Sequence, residues 1–230
     1  MQKPKNLVVI LAAVALVIIM GGVAFYFWPR NLATPEPKLL EFKPLRTDLQ
    51  DWERDKFYND YLAVEPILEA DPDDWQSLLR LGAIKKSIGD YQGAEQAWLR
   101  VGELRPGNSV SFNNLGDLYA NFLKDYPKAE ENYKIALENS RAEAINTTYR
   151  RSLFEFYLYY NQELDKAEAL LLEGLTDQPE NLDLLILLAA FYRDQGQKDK
   201  AIEYYQKALK VNPADQSIKK ELDKLQATQP

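Results

Sequence analysis

Histidine and cysteine are absent from all 230 residues. That removes imidazole bases, thiolate nucleophiles, disulfides and the usual structural zinc sites in one step. Catalysis would have to rest on carboxylates, lysines, tyrosines or hydroxyls. Glycine is sparse, at ten residues, and none of it forms a phosphate-cradling loop or a nucleophile elbow. Basic residues are also in deficit, 28 Lys and Arg against 35 Asp and Glu, for a net charge of −7. Lys3, Lys5 and Arg30 are the only charges in the first thirty residues, which leaves −10 on the rest. So acidic a body disfavours nucleic acid and broad contact with anionic lipid. The pairs Asp73-Asp74 and Glu130-Glu131 read as helix-start or solvent-face residues rather than catalytic carboxylates or a calcium loop. No catalytic residue, metal or cofactor is expected, and no small-molecule substrate; the chain reads as a non-enzyme.

What is present is apolar and aromatic, at 46% and 12% of residues, ordinary for a folded protein. Behind a short basic tail (1–6), residues 7–28 run without a charge through LVVILAAVALVIIMGGVAFYFW. As a helix this stretch rises roughly 33 Å, the thickness of a bilayer core. Tyr26 and Trp28 supply interfacial aromatics, with Arg30 just beyond them in water. A cleaved signal peptide is the competing reading, but its apolar core is shorter and its cleavage site is not followed by four aromatics. The expectation is a single-pass anchor with a cytoplasmic N-terminus and an extracytoplasmic body. Four prolines in residues 29–46 then suggest an extended linker.

From Thr47 onward the pattern is helical and it repeats. Gly82 precedes Ala94 by twelve positions, Gly116 precedes Ala129 by thirteen, Phe154 precedes Ala167 by thirteen and Ala189 precedes Ala201 by twelve. Four residues after each alanine comes a large side chain: Trp98, Tyr133, Leu171 and Tyr205. Pro106, Pro179 and Pro213 stand twelve after three of those alanines, with Arg141 at that place in the second unit. Small residues on facing helices permit close approach, the large one fills the groove between them, and the proline stops the second helix.

Leu185, Leu188, Ala189, Tyr192, Ala201, Tyr205, Ala208 and Pro213 give the clearest unit, and together the four units resemble the tetratricopeptide repeat family. The resemblance implies an all-α solenoid of helix-turn-helix units. The divisions expected are a degenerate half repeat (47–74), repeats at 75–108, 109–143, 147–181 and 182–213, and a capping helix (214–226). Repeats two and three each carry one extra residue between their helices, in LKDYPKAE and NQELDKAE.

In this family the first helices line a concave groove. Carried over by position, the resemblance places Asn113, Asp117, Asn121, Arg151, Glu155, Tyr159, Ile186 and Arg193 there as partner-binding residues. The Lys, Asn and Arg clamp with which some members hold chaperone C-termini is not recognisable: Asn114 matches its middle asparagine, but Leu79, Ala83, Thr148 and Ser152 stand at its other places. Partners are therefore expected to be proteins, as membrane-complex subunits or extended peptides. The function implied is a membrane-tethered interaction scaffold; the alternative is a chaperone-like peptide-binding module beside a secretion or assembly machine. The run 182–192 is apolar almost all round, which calls for burial under following helices or for a partner.

Overall fold

The computed structural model describes residues 37–141 and 146–227, and among them every regular element is helical. The anchor expected at 7–28, with Tyr26, Trp28 and Arg30, lies outside the described residues. Among those that are described, no helix is long and apolar enough to cross a membrane.

The described residues from Leu39 onward form one compact unit. Its helices are α1 (Asp51–Leu62), α2 (Glu65–Ala70), α3 (Trp75–Ser87), α4 (Tyr91–Leu104), α5 (Ser109–Leu118), α6 (Tyr126–Asn139), α7 (Asn146–Glu155), α8 (Leu164–Asp177), α9 (Leu182–Asp194), α10 (Lys198–Val211) and α11 (Gln216–Ala227). Helices α3 to α10 pair as four antiparallel hairpins, and each second helix also packs on the first helix of the next pair. Helix α11 packs on α10 in the place a fifth repeat would take.

Local chemistry starts these helices where they start. Asp74, Asp90, Asn108, Asp125 and Asn181 each accept a hydrogen bond from the backbone N–H three residues ahead, satisfying an otherwise orphaned donor. Pro66 occupies the first turn of α2, where its missing N–H is no loss. The break before it, at Ala63 and Val64, turns the degenerate half repeat into two short helices.

The turn inside each hairpin needs one left-handed residue, always five positions before the repeat's alanine. Gly89 and Gly196 supply it in repeats one and four, and Lys124 and Gln162 in repeats two and three. The extra residue of repeats two and three therefore falls ahead of the turn. It is absorbed as a single π turn closing the first helix, Tyr119–Leu123 after α5 and Phe156–Tyr160 after α7.

Part of the expected linker is docked. Leu39 and Leu49 are buried, Lys85 donates to the Glu41 carbonyl (2.5 Å), and the Leu45 and Arg46 amides donate to the Ile88 carbonyl. The prolines stop this stretch from becoming a helix without freeing it from α3. At the far end Ile218 and Leu222 of α11 bury against Leu185, Ala189, Tyr205 and Ala208. The apolar run of α9 is divided between two cores, with Ile186 against this cluster and Leu187 against the central one.

Candidate partner-binding site

The first helices α3, α5, α7 and α9 present one solvent-accessible residue after another at the places the repeat register assigns to the groove, apart from Ala120, which is buried. What differs among them is how far each side chain is already committed.

Asp117 and Asn121 are tied into a ladder across three repeats. Lys86 of α3 pairs with Asp117 Oδ2 (2.8 Å), Asn121 Nδ2 donates to Asp117 Oδ1 (2.7 Å), and the Tyr160 hydroxyl donates to Asn121 Oδ1. The Lys86 ammonium also lies near the rings of Trp98 and Phe122, and that of Lys124 near Tyr160. Asn121 and Tyr160 both sit in the π turns, so the two insertions are what bring them within reach.

Arg193 is committed as well. Its guanidinium holds Asp194 (2.8 Å), Glu221 of α11 (3.1 Å) and the Tyr205 hydroxyl (3.4 Å). The hydrogen bond to Asp194, with further carboxylate contact, holds its pKa above the usual arginine value. Its place is that of a clasp on the capping helix. Ile186 is half-buried against the last core cluster.

Four of the expected residues remain uncommitted. Arg151 and Glu155 of α7 and Tyr159 of the π turn follow one another at four-residue spacing; all are exposed, Tyr159 at 69%. Neither ion pair nor hydrogen bond engages their side chains within the described residues. On α5, at the groove place of the second repeat that Arg151 holds in the third, Asn113 keeps a buried Oδ1 with no donor. A buried amide oxygen without a partner is uncommon and costs about 1–3 kcal/mol. The set offers one acceptor, one cation, one anion and one aromatic face.

Sequence reasoning missed a second pattern. Tyr119, Tyr157 and Tyr192 donate to Glu95 (2.5 Å), Glu130 (2.9 Å) and Glu168 (2.6 Å) of the preceding second helix. Lys128, Lys166 and Lys200 reach the same carboxylates and lie over the same rings. Each junction between repeats thus carries one tyrosine, one glutamate and one lysine. The available signal was the recurring Lys-Ala-Glu around the repeat alanine. Glu130, expected on a solvent face, is one of these junction acids, and Asp73 is paired with Arg100 (2.5 Å). Groups of His, Asp or Glu able to hold a metal do not occur among the described residues.

Residues 183–215 match the family described as tetratricopeptide repeat. Among solved structures, PilW, titled a widely conserved type IV pilus biogenesis factor, aligns with TM-score 0.54 and 18% identity, covering 77% of this chain and 82% of its own. MamA aligns with TM-score 0.51 and 20% identity over 72% of this chain and 96% of its own. The MamA RS-1 ArsTM double mutant gives 0.52 and 19% over 69% and 87%. At these identities the likeness is one of fold. No curated protein matches the sequence. Four helical hairpins in register, a tetratricopeptide repeat match on the fourth and these structural neighbours make this chain an all-α helical-repeat solenoid whose fold is like that of tetratricopeptide repeat proteins.

Proposed function

We propose that this protein is a membrane-tethered scaffold that holds a partner protein against the first-helix face of its solenoid. The observation that carries the reading is the uncommitted set: Arg151, Glu155 and Tyr159 exposed in a row, with the orphaned acceptor of Asn113 at the matching place of the preceding repeat. Such a set suits an extended backbone or a partner helix, since asparagine reads peptide N–H groups and arginine forks onto carboxylates. The charge-free run 7–28 supports a single-pass anchor. The orientation proposed, common among short N-terminal anchors, has the N-terminus in the cytoplasm and the solenoid outside it. Repeat arrays serve many pathways, so the partner's identity rests on experiment.

The test is purification of the full-length chain from its own membranes in mild detergent, beside a variant carrying Arg151→Glu, Glu155→Lys and Tyr159→Ala. A stoichiometric partner bound by the parent and lost from the variant is the expected result. A scatter of substoichiometric clients would favour the chaperone-like module instead. A partner retained by the triple variant would remove the groove from the proposal, and release of the protein by alkaline washing would remove the anchor.

A further inference from the structure

Repeats one, two and four place a large apolar side chain four residues before the close-approach position of the first helix: Leu78, Phe112 and Leu185. The third repeat places Arg150 there. Its side chain is 5% exposed. Of the five N–H donors a guanidinium carries, Nη1 donates to the Leu170 carbonyl (2.8 Å) and Nε has no partner. Glu173 and Asp177 each stand 4.0 Å away, beyond hydrogen-bonding distance. Burial pulls the pKa of this group down.

A glycine on the facing helix packs against this arginine. Gly174 of α8 takes the place that Ala136 and Ala208 fill in repeats two and four. A Cβ at that glycine would lie 2.7 Å from Cδ and Nε of Arg150 and 2.8 Å from Cδ1 of Leu184. An apolar side chain at 150 with alanine at 174 is the arrangement a merely structural repeat would favour.

Arg150 lines a cleft of about 340 Å³ between the second helices α6 and α8, on α7. Leu137, Leu153 and Leu170 give the cleft apolar walls. Lys134 is paired with Glu130, Arg141 with Glu138 and Lys166 with Glu130 and Glu163, so Arg150, with its unpartnered Nε, is the cation in this cleft with hydrogen-bonding capacity to spare. A 340 Å³ cleft is at the small end of ligand sites and holds one or two side chains.

We propose that this cleft receives an acidic side chain of a partner polypeptide, whose carboxylate pairs with Arg150 while a neighbouring aliphatic residue packs on the leucines. A slender Glu stem reaches a buried guanidinium without burying peptide groups. A chain terminus would bring its own N–H and carbonyl into a cleft whose one amide, Asn146, is already bonded to Leu137 and Ser140. The site lies among the second helices and is independent of the Arg151, Glu155 and Tyr159 patch.

The experiment is thermal melting of the full-length chain in nonionic detergent at constant ionic strength. The probes are acetyl-Leu-Glu-amide, its isostere acetyl-Leu-Gln-amide, N-acetylleucine and inorganic phosphate. At ten times its Kd the Glu peptide should raise Tm by about 3–6 °C, with the Gln peptide silent. Arg150→Leu should melt no lower than the parent and lose the response; Lys134→Gln should fold normally and weaken binding severalfold. The triple patch variant should respond as the parent does, which separates failure here from failure of the scaffold reading. Equal responses to the Glu and Gln peptides, no response, or a response surviving Arg150→Leu would each overturn the proposal. A response to N-acetylleucine or phosphate that exceeds that to the Glu peptide would overturn the acidic side chain as the occupant.

Discussion

The ring of Tyr133 lies so close to Gly116 that a Cβ on that glycine would come within 2.7 Å of it, and Trp98 crowds Gly82 in the same way. Alanine is the better helix former by about 1 kcal/mol, yet here the space decides the sign. Gly116→Ala is expected to destabilise by about 1–3 kcal/mol, the usual range for overpacking, as measured by chemical denaturation. The third repeat solves the same contact in reverse, with Phe154 on the first helix and Leu171 on the second, both buried. Adding Tyr133→Leu to Gly116→Ala should therefore recover part of the loss; a double-mutant cycle that closes additively would mean the two residues do not share this contact. This level of the fold was legible in the sequence, because small and large residues alternate at fixed spacing. The uses of polar residues were not. Asp117, Asn121 and Arg193 fall on the groove positions, but their partners Lys86, Tyr160 and Glu221 come from other repeats or the capping helix. Nothing local in sequence shows which side chains a solenoid spends on itself.

At the scale of the element, the inserted residue of repeats two and three shows how a helix absorbs a length change. The left-handed turn residue keeps its distance from the repeat alanine, so the surplus goes backward into the first helix as a π turn. The extra residue was readable in the sequence; its destination depended on the turn's register and on the packing of the alanine behind it. Lys124 and Gln162 occupy that left-handed position at φ 57° and 53°. A side chain there costs about 1–2 kcal/mol, partly offset by the greater freedom of glycine when unfolded. Gln162→Gly is expected to stabilise by about 0.5–1 kcal/mol, read as a higher denaturation midpoint with an unchanged m-value; a fall would mean the turn is not strained. Between elements, Glu130 joins α6 to the next repeat. Burial acts to raise its pKa, but hydrogen bonds from Lys134, Tyr157 and Lys166 outweigh it and hold the carboxyl below the usual glutamate range. Such a depressed group contributes stability above its ordinary pKa of about 4.5 and loses it as pH falls through the folded value. Glu130→Gln should flatten the acid limb of the stability curve below about pH 4.5 and also make the alkaline limb slightly shallower, because Tyr157 loses the carboxylate that helps to raise its pKa.

Across the whole molecule, the junction sets mark where the array begins and ends. Lysine precedes the repeat alanine at 128, 166 and 200, but Gly93 stands at that place in the first repeat, which has no preceding junction glutamate. Glutamate follows the alanine at 95, 130 and 168, but Ile202 stands there in the last, where no further tyrosine arrives. Each interior junction therefore holds a phenol hydrogen-bonded to a carboxylate, and burial followed by that bond raises the pKa of Tyr119, Tyr157 and Tyr192. Burial raises Tyr133 and Tyr205 too, which places titratable groups of one sign of shift in every repeat from the second onward. For a group raised on folding, the contribution is complete below its unfolded pKa and is lost as pH climbs from there towards the folded value. With an unfolded tyrosine near 10, stability should hold up to about pH 9–10 and then fall with a slope set by several tyrosines at once. Urea midpoints measured from pH 8 to 11 test this. In a variant carrying Tyr119→Phe, Tyr157→Phe and Tyr192→Phe, the neutral-pH midpoint should drop, because three carboxylates lose a donor, while the alkaline limb becomes shallower. An alkaline limb as steep as the parent's would show that the junction phenols do not link the repeats through their protons.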